Sequence, residues 1–204
     1  SSGVCSSDRG GSITVIARWS SPARPFVVGL AVRPRAGTAL AGSSIPLALT
    51  WSGWDIGGPG IRWYELSRQV DGGSWTADGT SATTVAYRTV ASSGTVRYRV
   101  RGRDVNGLPG AWVSIPTLGP RLVQQSATSI LYRGGWRGVW SSAYSGGSAR
   151  YATTAGASAT VTFTGRSIAF VTTTGPSRGV LKVYRGTDRK STRLNSSHGY
   201  ISYA

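Results

Sequence analysis

The chain predicts an all-β protein made of one complete β-sandwich and a second, truncated one, and three observations carry that expectation. Apolar and polar residues alternate in short runs, the signature of half-buried strands. Gly, Ser, Asp and Thr break those runs at short intervals. No stretch keeps helical spacing with caps over three turns, so the helical alternative has no support.

Taken in order, the first candidate strand is Ile45–Trp51 (IPLALTW), followed by Trp63–Gln69 (WYELSRQ), Thr84–Thr89 (TVAYRT) and Thr95–Arg101 (TVRYRVR). Later come Ser129–Arg133 (SILYR), Ala159–Thr164 (ATVTFT), Ser167–Thr172 (SIAFVT) and Val180–Tyr184 (VLKVY). Asp71-Gly72-Gly73 is a hairpin signal, because Asp-Gly tolerates the positive φ of a tight turn. Asn106-Gly107 with Pro109-Gly110 marks a second turn-rich loop.

The two ends read differently. Asp188–His198, DRKSTRLNSSH, resembles a translated frame of a short-read sequencing adapter, residue for residue. Ile201–Ala204 is similar to the adapter's constant continuation. Ser1–Asp8, SSGVCSSD, is similar to the opposite strand of the same adapter with one base changed. Such segments are set aside before fold reasoning. The expected layout is adapter-derived, disordered residues at 1–9 and 188–204, and a linker or the end of a preceding domain at 10–24. The first domain is expected at 25–118 and the truncated second at 119–187. Neither end is expected to pack against anything specific, being rich in Ser, Arg and Asn.

The 204 residues carry 23 Lys and Arg against 7 Asp and Glu, a net charge of +16. Setting both ends aside removes Arg9, Arg189, Lys190 and Arg193 with Asp8 and Asp188, which leaves +14. Cys5 and His198, the sole cysteine and histidine, go as well. Within 10–187, thiol nucleophiles, Ser-His-Asp triads and His- or Cys-ligated zinc are therefore excluded. No cofactor or metal site is expected. No apolar run approaches the roughly 18 residues of a membrane span. The basic balance invites a nucleic-acid reading. However, nearly every base is Arg and Gly, Ala and Val abound, as a GC-rich genome gives, so that partner is not favoured.

Pro25 to Trp112 resembles a fibronectin type III domain. Trp51 stands where that family places the core tryptophan of strand B. Ile61-x-x-Tyr64-x-Leu66 resembles strand C, and Tyr98-x-Val100 resembles strand F. The closing Asp104-x-Asn106-Gly107-x-x-Gly110-x-Trp112 is similar to bacterial members. The resemblance implies a seven-stranded sandwich serving as a spacer or binding module, with Tyr98 as a corner tyrosine bonding back to upstream backbone. From about Leu122, Tyr144–Tyr151, Gly156-Ala-Ser, Phe163-Thr-Gly165 and Gly175–Gly179 ahead of VLKVY resemble the start of a jelly-roll, galactose-binding-like module. That module implies a secreted or cell-surface bacterial protein and a polysaccharide or cell-wall glycan as partner.

Period two puts Arg97, Arg99, Arg101 and Arg103 on one strand face and Tyr98, Val100 and Gly102 on the other. If strands C and F pair, Trp63 and Glu65 lie beside those arginines, with Tyr64 and Leu66 inward. Trp63 with Arg97, Arg99 and Arg101 would then bind an acidic glycan or nucleic acid; a self-satisfied ladder covering the sheet is the plainer alternative. Trp136 and Tyr151 are expected in the second core, and Trp140 is a candidate sugar platform. Asp55, Asp71, Asp78 and Asp104 sit at expected turns, where Asp bonds its own backbone. The reading is a non-catalytic fragment for spacing, adhesion and glycan binding, or else an accessory region of a larger secreted hydrolase.

Overall fold

The structure, a computed structural model, describes residues 3–7, 13–17, 24–35, 40, 42–165, 168–172, 179, 181–185 and 188–194; of 3–7, 13–17, 185 and 188–194 it describes the backbone only. Near the start, β1 (Gly3–Ser7) and β2 (Ile13–Ala17) pair antiparallel as a ladder of their own. The main body follows with β3 (Phe26–Pro34), β4 (Ser44–Trp54), β5 (Ile61–Val70) and β6 (Thr76–Ser81). It continues with β7 (Val85–Ala91), β8 (Val96–Asp104) and the short β9 (Val113–Ser114).

These strands form two antiparallel sheets, one in the order β3-β4-β7 and one in the order β6-β5-β8-β9. Alternation decides what lies between them. Leu47, Leu49 and Trp51 of β4 point inward with Val27 of β3 and Ala86 of β7. From the other sheet come Tyr64 and Leu66 of β5, Val96, Tyr98 and Val100 of β8, and Ile115. Trp51 meets Tyr64 edge-on, with ring centroids 5.4 Å apart and planes at 71°. Each such large side chain removed from water contributes roughly 1.5–3 kcal/mol.

The Asp71-Gly72 turn forms as the residue types require. Asp71 (φ 48°) and Gly72 (φ 71°) both occupy positive φ, and the Gly73 amide closes the turn on the Val70 carbonyl at 2.9 Å. Gly110 is needed for a different reason. A Cβ there would overlap the Pro25 carbonyl, so only glycine lets the strand-leading segment lie this close.

Some strands carry no clear period. In β3 the register shifts between Val28 and Ala31, and Gly29 sits at φ 65°, so a bulge interrupts the alternation. The β6 segment, TADGTS, is almost wholly polar and is held as a strand by pairing to β5. Here tertiary pairing overrides weak local preference.

Beyond Ile115 no residue whose burial is described is buried. β10 (Ile130–Arg133) and β11 (Trp136–Trp140) are followed by β12 (Ser148–Ala152) and β13 (Ser158–Val161). β10 pairs with β13 and β11 with β12, as two separate ladders. The expected strand over 159–164 stops at Val161, and residues 168–172 are not a strand, while Ser167 lies outside the described residues. Tyr151, expected in a core, is exposed. Among the residues whose burial is described, the ladders of this region share no buried apolar layer.

The last ladder joins β14 (Leu181–Arg185) to β15 (Asp188–Leu194). The backbone of Gly3–Ser7 and of Asp188–Leu194 is paired, and how their side chains pack lies outside the described residues. Whether Leu194 or Ile201 is buried lies outside the described residues, as do Val180 and most of 175–179. Among the described residues, no helix is long and apolar enough to cross a membrane.

Candidate functional site

The outward face of β8 builds the most organised polar surface of the molecule. Burial alternates residue by residue from Val96 to Asp104, so Arg97, Arg99, Arg101 and Arg103 all leave the sheet on its outer side. Antiparallel pairing sets Gln69 opposite Arg97, Ser67 opposite Arg99, Glu65 opposite Arg101 and Trp63 opposite Arg103.

Two indoles from outside β5 and β8 slot between the guanidinium groups. Trp75, just before β6, takes Arg99 at 4.3 Å and Arg97 at 5.6 Å from its centroid. Trp112, just before β9, takes Arg99 and Arg101, each at 4.4 Å. Arg99 thus contacts both indoles. Such contacts contribute about 0.5–1 kcal/mol when exposed and about 2 when desolvated.

Glu65 closes the other end. Its carboxylate accepts from Arg101 Nε at 2.6 Å and also from Arg103. Burial pushes the Glu65 carboxyl up, but the hydrogen bonds and charges of Arg103 and Arg101 outweigh it and hold it below the usual carboxylate range. Arg99 moves the opposite way for a cation. Burial, and then the charge of Arg101, push it down, and its Nε is buried with no hydrogen-bond partner among the described residues.

Trp63 was expected among Arg97, Arg99 and Arg101, and the structure corrects this. Pairing keeps one register from Trp63 to Val70, so Trp63 stands opposite Arg103 at the ladder's end, and the shift towards Ile61 lies beyond it. The guanidinium over its ring is that of Arg62, at 5.3 Å. Trp75 and Trp112 were missed because neither lies in a strand with a readable period. The facing itself follows the alternation, with Tyr64 and Leu66 buried and Glu65 outward.

The corner role expected for Tyr98 is also corrected. Its hydroxyl is buried with no hydrogen-bond partner among the described residues. The backbone just upstream is committed elsewhere, with the Ser92 amide on the Ser43 carbonyl and the Thr95 amide on Asp71. Burial, then Asp78, raises the Tyr98 pKa, with Arg68 and Arg88 opposing.

The five acids between residues 10 and 187 each have a structural partner. Asp55 accepts from the Gly60 amide (2.9 Å), Asp104 from Leu108 (2.7 Å) and Asp71 from Thr95 (2.6 Å). Asp78 lies inside β6 rather than in a turn. It pairs with Arg88 of β7 at 2.5 Å and Arg68 of β5 at 3.5 Å, which clasps the two sheets along one edge.

Trp140 stands apart from the ladder, at the end of β11, and is 79% exposed. Its ring lies over Gly138, where an added Cβ would come within 3.1 Å. Trp136 is half-buried; its indole N–H is shared by the carbonyls of Arg133 and Ser158 at 3.1 Å, and it packs on Tyr132 with centroids 5.1 Å apart. Trp140 therefore offers an open flat face, whereas Trp136 is committed to holding β10 and β13 together.

No protein-family model matches this chain, and no curated protein matches it either.

Proposed function

We infer that the chain is a non-catalytic piece of a secreted or cell-surface bacterial protein, in which a fibronectin type III-like spacer precedes a glycan-binding-like region. The observation that carries this reading is the engagement of all five internal carboxylates with a guanidinium or a backbone amide. Carboxylates held this way brace turns and sheets, whereas acid–base catalysis needs a group facing substrate with a pKa tuned to the task. The three-on-four strand order and the inward Trp51, Tyr64 and Tyr98 support the type III-like assignment. The exposed Trp140 supports glycan contact in the second region, since an aromatic face stacks on the apolar face of a sugar ring.

The test uses the full chain in two assays. Sedimentation with insoluble polysaccharides should retain the protein, and Trp140→Ala should weaken retention severalfold. Incubation with a panel of chromogenic glycosides should give no turnover. Turnover that survives purification would overturn the non-catalytic reading in favour of a hydrolase.

A further inference from the structure

A hollow of about 260 Å³ opens at the Arg97 end of the ladder, lined by Gln69, Gly72, Thr95, Val96, Arg97 and Thr117. Its charge is unbalanced. Arg101 and Arg103 are neutralised by Glu65, and Arg99 contacts two indoles. Arg97 is different. One contact is the Trp75 ring at 5.6 Å and another is the Ile115 carbonyl, a long hydrogen bond at 3.4 Å, and among the described residues it has no ion pair. The neighbouring carboxylate, Asp71, is turned to the Thr95 amide and hydroxyl instead.

We propose that this hollow binds one carboxylate-bearing sugar unit, a hexuronate presented by an acidic polysaccharide. The carboxylate pairs with the Arg97 guanidinium, whose planar fork suits two parallel hydrogen bonds. The Thr95 and Thr117 hydroxyls and the Gln69 amide oxygen face the sugar hydroxyls. That oxygen is available because the Gln69 amide nitrogen already donates to the Gly73 carbonyl at 2.7 Å. Trp75 acts as a positioning residue that holds Arg97 at the rim. The size selects the ligand class. Pockets for drug-sized molecules begin at about 300 Å³, so this one suits a single ring and not a duplex lying along the ladder. The proposal shares with the reading above only the class of ligand, and it uses a different part of the molecule.

The experiment titrates the full chain with trigalacturonate while recording amide and side-chain NMR signals. The controls are neutral galactose oligomers and sodium sulfate at matched ionic strength. Saturable shifts of the Arg97 Nε–H and Thr117 amide with trigalacturonate alone are the expected result. Arg97→Gln should weaken binding at least about tenfold. Thr117→Glu places a carboxylate in the hollow without touching the ladder and should abolish binding, which covers the case in which Arg97→Gln fails to fold. Trp140→Ala should leave it unchanged, so loss of the second-region reading and loss of this site are told apart. Equal binding of sulfate or neutral sugar, or unchanged affinity in Thr117→Glu, overturns the proposal.

Discussion

The Arg99 guanidinium carbon lies 4.4 Å from the Trp112 indole centroid and 4.3 Å from that of Trp75. The pair joins β8 to the segment entering β9, beside the backbone pairing of Arg99 with Ser114 and Val100 with Val113. It also explains how four like charges sit on alternate positions of one strand. The indoles separate the guanidinium groups at one end, and Glu65 neutralises two of them at the other.

Trp112→Ala should therefore destabilise the sandwich by about 2–4 kcal/mol, from lost area and two cation contacts together. Trp112→Phe should cost less, because a smaller ring still stacks. Urea denaturation followed by tryptophan fluorescence measures both, and equal effects would show that a smaller ring recovers neither area nor stacking there.

Glu65 makes the sandwich acid-sensitive. Its folded pKa lies below the unfolded value of about 4.3, so its stabilisation is fully present above that pH. It is lost as pH falls through the lowered folded pKa. Glu65→Gln should cost about 1–2 kcal/mol at pH 7 and should flatten the loss of stability below about pH 4.5. Melting temperatures of the two proteins from pH 7 to pH 3 should converge.

At the β5–β6 turn, conformation and hydrogen bonding separate cleanly. Asp71→Ala loses the acceptor for the Thr95 amide and leaves a methyl-bearing residue at φ 48°, for a combined cost of about 2–3 kcal/mol. Asp71→Gly loses the acceptor but relaxes the backbone, and should be about 1 kcal/mol less damaging. Asp71→Asn keeps both features and should stay near the parent stability.

The second region leaves Leu131, Phe163, Phe170, Val171 and Tyr184 exposed, all between 44% and 57%. Apolar surface of this extent favours association. The full chain should elute from size exclusion as a soluble oligomer, whereas residues 25–117 alone should run as a monomer and unfold in one transition. A monomeric full chain would show that this exposed apolar surface does not drive association.

The all-β class, the Asp71-Gly72 turn and the faces of β5 and β8 are legible in the residue pattern alone. These are local consequences of a two-residue period and of backbone sterics, so a linear string contains them. It also marked the arginines as a single row. Only the tertiary structure decided what covers that row. Trp75 and Trp112 come from short segments with no period, and the pairing of β5 with β8 sets Trp63 opposite Arg103, at the far end of the row from Arg97. Sheet membership of β3 and β6 was decided the same way, since a bulge and a polar composition erase their pattern while pairing to β4 and β5 restores the strand. Contacts between segments distant in sequence depend on how two sheets stack, and no single strand's pattern records that geometry.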